Sequence, residues 1–263
     1  MKRWQSLALG MIISVVTLAY ALHGVSLDGL WSEFAHARYI YLIPSLGLVI
    51  VGLALRALRW RGLLDKRTTL THSFHILNVG YFFGALLPFR LGDVARLYMA
   101  ARLTPPIALL TTLSTIVVER LTDTLAIVVM VALAVSMAPV PATVATAALL
   151  SGVAAIGGLI VLTLLATRRT LAHRLFNLFI GRIRVLARLH PERLLDRLLD
   201  GITPIGSVRG LGTTLGWTTF AWIVSIAEGF VLMAMFYDQP DLRSTLLMMA
   251  MGALAVALPA VPG

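Results

Sequence analysis

The sequence predicts an all-α polytopic membrane protein with about six transmembrane helices, a re-entrant or broken-helix hairpin and a cytoplasmic amphipathic helical segment. Two observations support this fold class. Of the 263 residues, 59% are hydrophobic and only 13% are charged, whereas a soluble domain carries about 25% charged residues. Apolar runs of about 20 residues, long enough to span the hydrocarbon core of a bilayer, also recur along the chain. We therefore expect one membrane domain over residues 1–263.

Composition narrows the classes of function. The formal net charge is +10, but the basic residues lie between apolar runs, as in cytoplasmic loops that face anionic lipid. No basic face is paired with a soluble fold, so nucleic acid is not an expected partner. Cysteine is absent, which excludes disulfides, Cys-ligated zinc and thiol catalysis. No cofactor is expected.

Loop charges set the order and direction of the spans. Basic residues precede the first apolar run, which we interpret as an uncleaved helix that starts in the cytoplasm of a bacterial inner membrane. The cytoplasmic exit of the second span is marked by Arg56, Arg59, Arg61, Lys66 and Arg67. The predicted spans are residues 7–22, 39–58, 107–138, 142–166, 212–236 and 242–258.

Residues 70–103 are predicted to enter the membrane and return to the cytoplasmic face. Their apolar part is short and is interrupted by polar residues, glycines and Pro88. If it crossed fully, the arginines of residues 90–102 would lie outside, and every later loop would have the wrong charge. Irregular backbone at membrane depth is tolerated where protein or a watery cavity surrounds it. The alternative is an ordinary short span whose arginines break the charge rule.

The basic segment of residues 168–209 is predicted to be an amphipathic helix or helix pair on the cytoplasmic leaflet. Leucines recur there at three- and four-residue spacing, with arginines between them. A plain solvated loop is the alternative. The chain ends on prolines and a glycine that follow an apolar run, so we expect the natural protein to continue beyond Gly263.

The predicted hairpin carries the pattern N-x9-P-x-R-x-G-D-x2-R, from Asn78 to Arg96. Guanidinium groups bind phosphate well because their planar fork donates two hydrogen bonds at once. Arg90 and Arg96 flank a predicted turn, and a helix that begins near Asp93 would add free backbone amides. These residues form a candidate phosphate site. The alternative is interfacial anchoring by the two arginines, with Asp93 as a helix cap.

The span 107–138 holds Glu119, Arg120 and Asp123 near its centre. Ionisable side chains are costly at that depth and usually mark a binding site or pathway. Arg120 and Asp123 are three apart and can pair on one helix face, which leaves one carboxylate needing another cation. Glu228, in a later span, is a further candidate that needs a polar partner. A self-neutralising structural ion pair is the alternative.

His72, His75 and Asn78 recur every three residues and form one polar stripe. A metal site needs a third ligand, and the His-Glu-x2-His arrangement is absent. We therefore interpret the stripe as the wall of a polar cavity and expect no metal site. No residue is assigned a catalytic role.

At these motifs the chain resembles a known family. Residues 78–96 (NVGYFFGALLPFRLGDVAR) resemble its N-x-P-x-R-x-G-E/D-x2-R signature, with Asp93 in place of the usual Glu. Residues 118–123 (VERLTD) are similar to its E-R-x2-D helix, and Pro259-x2-Pro262-Gly263 is similar to the start of its glycine-rich element. This family is the lysylphosphatidylglycerol synthase transmembrane region, also called the flippase-like domain family.

The resemblance implies a function in lipid transport. In fused members this domain moves aminoacylated phosphatidylglycerol between leaflets, while a separate soluble domain makes it. Stand-alone members resemble proteins that transport lipids or lipid-linked sugars. This chain has no soluble aminoacyl-transfer domain, so synthase activity is not expected.

The sequence therefore favours a translocase for a phospholipid or lipid-linked sugar over an enzyme. We expect Arg90 and Arg96 to hold the phosphate and Glu119 and Asp123 to receive the rest of the headgroup. Two further residues, Arg120 and Glu228, would balance the charge, and Asn78 and Asp93 complete the candidate lipid-binding set. One rival is a membrane-embedded enzyme that modifies lipids or lipid-linked sugars, with Glu119 or Asp123 as general base. The other is a non-catalytic partner of a lipid synthase; a homo-oligomer also fits the sequence.

Overall fold

The computed structural model describes residues 26–86, 91–137, 142–180 and 191–257, and every regular element among them is helical. This confirms the predicted all-α class. Two short 3-10 helices, Tyr39–Tyr41 and Thr203–Gly206, accompany the α-helices. The α-helices of the described residues are α1 (Leu27–His36), α2 (Leu42–Leu63), α3 (Leu70–Leu86), α4 (Leu91–Ala101), α5 (Leu109–Met137), α6 (Ala142–Thr167), α7 (Arg169–Ile180), α8 (Pro191–Ile202), α9 (Val208–Phe236) and α10 (Leu242–Ala257).

Three of the described helical segments are long and apolar enough to cross a membrane. They are Tyr39–Leu63, Ala142–Thr167 and Val208–Phe236. Their outer faces expose large apolar side chains, such as Ile43 on α2 and Leu149 on α6, as expected of a surface that contacts lipid. The chain is therefore a membrane protein. The predicted span at residues 7–22 lies outside the described residues, and the total of six spans stays a prediction.

Antiparallel packing of α2 and α9 forms one side of the bundle. At one end Arg38 donates to the carbonyl of Ala234 at 2.7 Å, and further along Arg59 reaches Thr218 at 3.0 Å. The central helix is α5, which packs on α6, α8 and α10. Its buried face carries hydroxyl side chains that bond to its own backbone, as Thr122 does to the Val118 carbonyl at 3.1 Å. These side chains are small, so neighbouring helices approach α5 closely.

Helices α3 and α4 form an antiparallel hairpin that depends on glycine. A Cβ on Gly92 would overlap the Gly80 carbonyl oxygen and lie 2.7 Å from the Gly84 nitrogen. The open end of the hairpin lies beside the C-terminal end of α2, because Ile76 and Ala100 join one apolar cluster around Trp60. The chain thus leaves and returns at the same end of α2, the path expected of a re-entrant hairpin. Its position in the membrane stays a prediction.

The basic segment contains the helix pair α7 and α8, separated by residues 181–190, which lie outside the described residues. The leucines of the two helices face different surroundings. Leu195 and Leu199 of α8 are buried against Leu63 and Val118 in the bundle, whereas Leu175 of α7 is exposed. The leucine stripe of α8 therefore packs against the protein, and α7 joins the same cluster through Ala172 and Phe176 while its leucine stays exposed. Contact of the exposed α7 leucines with the cytoplasmic leaflet stays a prediction.

Candidate functional site

A buried arginine on α2 is the centre of the polar site. The helix continues without a break to Leu63, so Arg59 lies within the bundle and is only 2% exposed. Its Nη1 donates to Asp123 Oδ1 at 2.6 Å and its Nη2 donates to Asp123 Oδ2 at 3.1 Å. Thr218 Oγ1 also accepts from Nη1, at 3.0 Å. The bidentate contact fixes α2 against α5 and matches the geometry of a guanidinium to that of a carboxylate.

A second buried pair joins the hairpin to α5. Arg96 Nη2 donates to Glu119 Oε2 at 2.6 Å, and both residues are 3% exposed. The guanidinium carbon of Arg96 lies 4.8 Å from the centroid of the Trp60 ring, a cation–π contact. The Trp60 indole in turn donates to Thr115 Oγ1 at 3.1 Å. Glu119 also connects the two pairs, because its Oε1 lies 3.5 Å from Arg59 Nη2.

The remaining charges of the two motifs pair nearer the surface. Arg120 Nη2 donates to both carboxylate oxygens of Asp93, at 3.1 and 3.2 Å. Asp93 also lies 3.9 Å from Arg96. The ion pairs thus form one continuous chain of alternating charge across α4, α5 and α2, built from Arg120, Asp93, Arg96, Glu119, Arg59 and Asp123. Since three cations face three anions, this chain is neutral.

A cavity of about 620 Å³ lies beside the neutral chain, which is a typical size for a small-molecule site. Asp123 and Arg120 contribute to its polar wall, and apolar residues of α5 and α10 form another part. Its lining residues are Arg56, Tyr81, Arg120, Asp123, Thr124, Ile127, Trp222, Met248, Met249, Gly252 and Ala253. We call this space the central cavity.

Arg56 gives the central cavity its excess positive charge. Its Nη2 donates to Ser225 Oγ at 2.9 Å, and its guanidinium carbon lies 5.9 Å from the centroid of the Trp222 ring. Within the described part of the chain, no carboxylate lies within 4.0 Å of it. A guanidinium in such a wall attracts an anion, because Arg59 already neutralises Asp123, and the other nearby carboxylate, Glu228, acts on Arg56 only from beyond 4.0 Å.

Asp123 has little remaining capacity to accept protons or hydrogen bonds. Its Oδ1 accepts from Arg59 and also from the Trp222 indole nitrogen at 3.1 Å, while its Oδ2 accepts from Arg59. A carboxylate offers about four lone-pair positions, so three donors leave one free. The side chain remains 23% exposed, which allows one further contact from within the central cavity.

The structure separates the predicted site residues into three groups. Arg120 and Asp123 line the central cavity, and Asp93 touches it only through its pair with Arg120. The predicted headgroup contacts Arg96 and Glu119 do not line it, since they are buried against each other. The expected pairing of Arg120 with Asp123 is replaced by pairs with Asp93 and Arg59, because the side chains of neighbouring helices lie closer.

The last group lies apart from the central cavity. The amide of Asn78 donates to the Phe74 carbonyl of its own helix at 2.8 Å. Glu228 accepts from Ser45 Oγ at 3.4 Å and is absent from the lining of the central cavity. Arg90, the predicted phosphate ligand of the hairpin, lies outside the described residues.

Sequence reasoning missed two arginines of the site. The loop charges predict that Arg56 and Arg59 lie at the cytoplasmic exit of the second span, but both lie inside α2. Their three-residue spacing puts them on one helix face, and the apolar residues Trp60, Leu63 and Leu64 follow them on either side of Arg61. That continuation of the helix is the signal that separates an inward-facing arginine from a loop arginine.

Comparison with known proteins identifies the family. A family model described as the lysylphosphatidylglycerol synthase TM region matches residues 7–263. Comparisons with curated proteins and with solved structures give no match. The match extends over nearly the whole chain and includes every helix described above. The chain belongs to the lysylphosphatidylglycerol synthase TM region family, a family of membrane domains associated with lipid modification and flipping.

Proposed function

We propose that this protein moves a lipid with an anionic phosphate headgroup between the leaflets of the membrane. One observation supports this most strongly: Arg56 lines the central cavity, and no carboxylate of the described residues lies within the 4.0 Å of an ion pair with it. A phosphate group supplies the missing negative charge, and the planar guanidinium can hold two of its oxygens. The lipid is a phospholipid or a lipid-linked sugar.

The proposal gives Arg120 the second contact with phosphate. Its side chain lines the central cavity, is 46% exposed and bonds to Asp93 through Nη2 alone, so its Nη1 and Nε groups are open to a ligand. Two cations and one carboxylate, Arg56, Arg120 and Asp123, then surround a ligand with one negative charge. A phosphodiester carries that charge. In this proposal Arg56, and not the predicted Arg96, contacts the phosphate. The guanidinium of Arg96 is already paired with Glu119.

Asp123 receives the non-phosphate part of the headgroup in this proposal. Its one remaining lone-pair position accepts a hydrogen bond from a hydroxyl or an ammonium group. The same occupancy argues against the rival role of Asp123 as a general base, since three donors already hold the carboxylate. Apolar side chains of Met248, Met249 and Ala253 line the cavity nearby and offer contacts to the glycerol or acyl region.

We place the basic ends of the bundle in the cytoplasm of a bacterial inner membrane, with the N-terminus on the same side. Arg61 lies in the last turn of α2, Lys66 and Arg67 follow that helix, and basic residues of the 168–209 segment lie in and around α7 and α8. Such clusters stay on the cytoplasmic side of membrane proteins. The loop between α9 and α10 carries Asp238 and Asp241, which suits the opposite face. Association with a lipid-synthesis partner or a second copy remains part of this proposal.

Leaflet exchange in liposomes tests the proposed function. The purified chain is reconstituted with a trace of fluorescent phosphatidylglycerol, and a quencher that cannot cross the membrane reports the lipid of the outer leaflet. Exchange faster than in protein-free liposomes is expected, with the extracted lipid unchanged in mass. Exchange at the protein-free rate for phosphatidylglycerol and for other labelled phospholipids would contradict the proposal. A new lipid mass would instead support the enzyme.

A further inference from the structure

A second cavity lies at the end of α2, where the chain turns into the hairpin. Its volume is about 430 Å³, and it shares no lining residue with the central cavity. We call it the basic notch. Its lining residues are Arg61, Lys66, Arg67, Thr68, Thr69, Leu70, His72, Leu103 and Thr104.

Three positively charged side chains line the basic notch, and no negatively charged side chain of the described residues lines it with them. Its lining contains Arg61, Lys66 and Arg67 but neither aspartate nor glutamate. In the described ranges, no carboxylate lies within 4.0 Å of these three side chains, although Asp65 belongs to the same turn. Like charges held together repel one another, so binding of an anion between them lowers the energy.

The guanidinium of Arg61 is held in place but keeps free donors. Its Nε donates to the Thr68 carbonyl at 3.0 Å, and no described group accepts from its Nη1 or Nη2. Thr68 is itself buried, so this bond fixes the direction of the side chain. Two parallel N–H donors on a fixed guanidinium are well suited to the oxygens of a phosphate.

The backbone brings the other donors to the same place. Asp65 and Lys66 have φ values of 52° and 57°, which turns the chain back so that the Lys66 nitrogen donates to the Arg61 carbonyl at 2.9 Å. The 17-residue helix α3 then begins at the notch, with the hydroxyl of Thr69 accepting from the His72 nitrogen at 3.1 Å. The positive end of the α3 dipole adds to the three side-chain charges.

We propose that the basic notch is a second anion-binding site, which takes a phosphate group. Two sources share this chemistry: the headgroup of an anionic lipid in the adjoining leaflet, and phosphate in solution. His72 at the notch and Tyr81 at the central cavity are nine positions apart on α3, about 14 Å along a helix. The two cavities therefore bind separate groups. The notch site does not depend on whether the protein moves lipid.

Binding by charge-matched variants tests the site. One variant removes the notch cations (R61Q, K66Q and R67Q). The control removes three exposed arginines elsewhere (R193Q, R197Q and R209Q). Both are made in the Arg56→Gln background, which weakens binding in the central cavity, and thermal unfolding verifies that each is folded. The probes are inorganic phosphate, followed by calorimetry, and short-chain phosphatidylglycerol, followed by native mass spectrometry.

We expect the notch variant to lose at least about tenfold in affinity for a probe, and the control to stay within about twofold, because charge-assisted hydrogen bonds are lost only in the notch. If the notch variant loses affinity for both probes, a phosphate group alone is sufficient for binding in the notch. Loss for phosphatidylglycerol only identifies a lipid headgroup as the ligand. The proposal would be overturned if the notch variant and the control lost affinity equally. It would also be overturned if neither probe bound to the protein with an intact notch.

Discussion

Arg59 and Asp123 form a bidentate ion pair between α2 and α5, with nitrogen–oxygen distances of 2.6 and 3.1 Å. The pair connects the neutral chain of ion pairs to the wall of the central cavity, since Asp123 belongs to both. Arg59 therefore supports the cavity without lining it. The site is thus divided into charges that hold the helices together and charges that remain available to a ligand.

Removing the Arg59 guanidinium is expected to destabilise the protein strongly. Arg59→Met leaves Asp123 without its bidentate partner and Glu119 with Arg96 alone. The loss of one partner from a buried pair costs about 3–5 kcal/mol, which thermal unfolding in detergent would detect. Arg59→Lys should rescue only part of this, because an ammonium cannot reproduce the fork.

A double variant separates the charge effect from simple loss of packing. Arg59→Met combined with Asp123→Leu removes both charges of the pair and should destabilise less than the sum of the two single variants. Additive losses of stability would show that the two side chains do not interact in the folded protein.

Gly92→Ala is expected to push the hairpin helices apart. The new methyl group would overlap the Gly80 carbonyl oxygen and lie 2.7 Å from the Gly84 nitrogen, and these backbone atoms cannot rotate away. Overpacking of this kind costs about 1–3 kcal/mol. Gly84→Ala is the matched control on the same hairpin, since a Cβ there meets nothing within 4 Å. Similar thermal unfolding temperatures for both variants would contradict the close crossing.

Trp60→Phe tests the cation–π contact between Trp60 and Arg96. The change removes the indole donor to Thr115 and weakens the aromatic face under the guanidinium. Loss of one buried hydrogen bond together with part of a cation–π contact is expected to cost about 1–3 kcal/mol in the free energy of unfolding. Trp31→Phe is the control, because that ring is 78% exposed and its replacement should leave stability unchanged.

Sequence alone predicted the helical class and the motif on α5, because intramembrane charges are rare enough to stand out. It did not predict their partners. Glu119 meets Arg96 from a segment 23 residues away, and Asp123 meets Arg59 from one 64 residues away. Those contacts depend on helix packing, which hydropathy and charge counts along the chain do not record. The rule that places arginines at the cytoplasmic ends of spans also gave the wrong position for Arg56 and Arg59, which face the interior of the bundle.

Packing likewise overrode the prediction for α8. Its leucines recur as in a helix that lies on a membrane surface, yet Leu195 and Leu199 are buried in the bundle. A Cβ on Gly201 would overlap the Thr111 carbonyl oxygen, so α8 crosses α5 at close range. An amphipathic pattern indicates that one helix face is covered, but lipid and protein cover it equally well.

The leaflet exchange rate of Arg56→Gln, compared with that of Arg209→Gln, tests the central claim most directly. Each variant removes one arginine; Arg56 lines the central cavity and Arg209 does not. Loss of a charge-assisted hydrogen bond to phosphate is worth about 1.5–3 kcal/mol, so exchange should slow by at least about tenfold in Arg56→Gln. The rate for Arg209→Gln should match that of the unmodified chain. If Arg56→Gln, folded and reconstituted to the same level, exchanged lipid as fast as that control, the phosphate-binding role of the central cavity would be wrong.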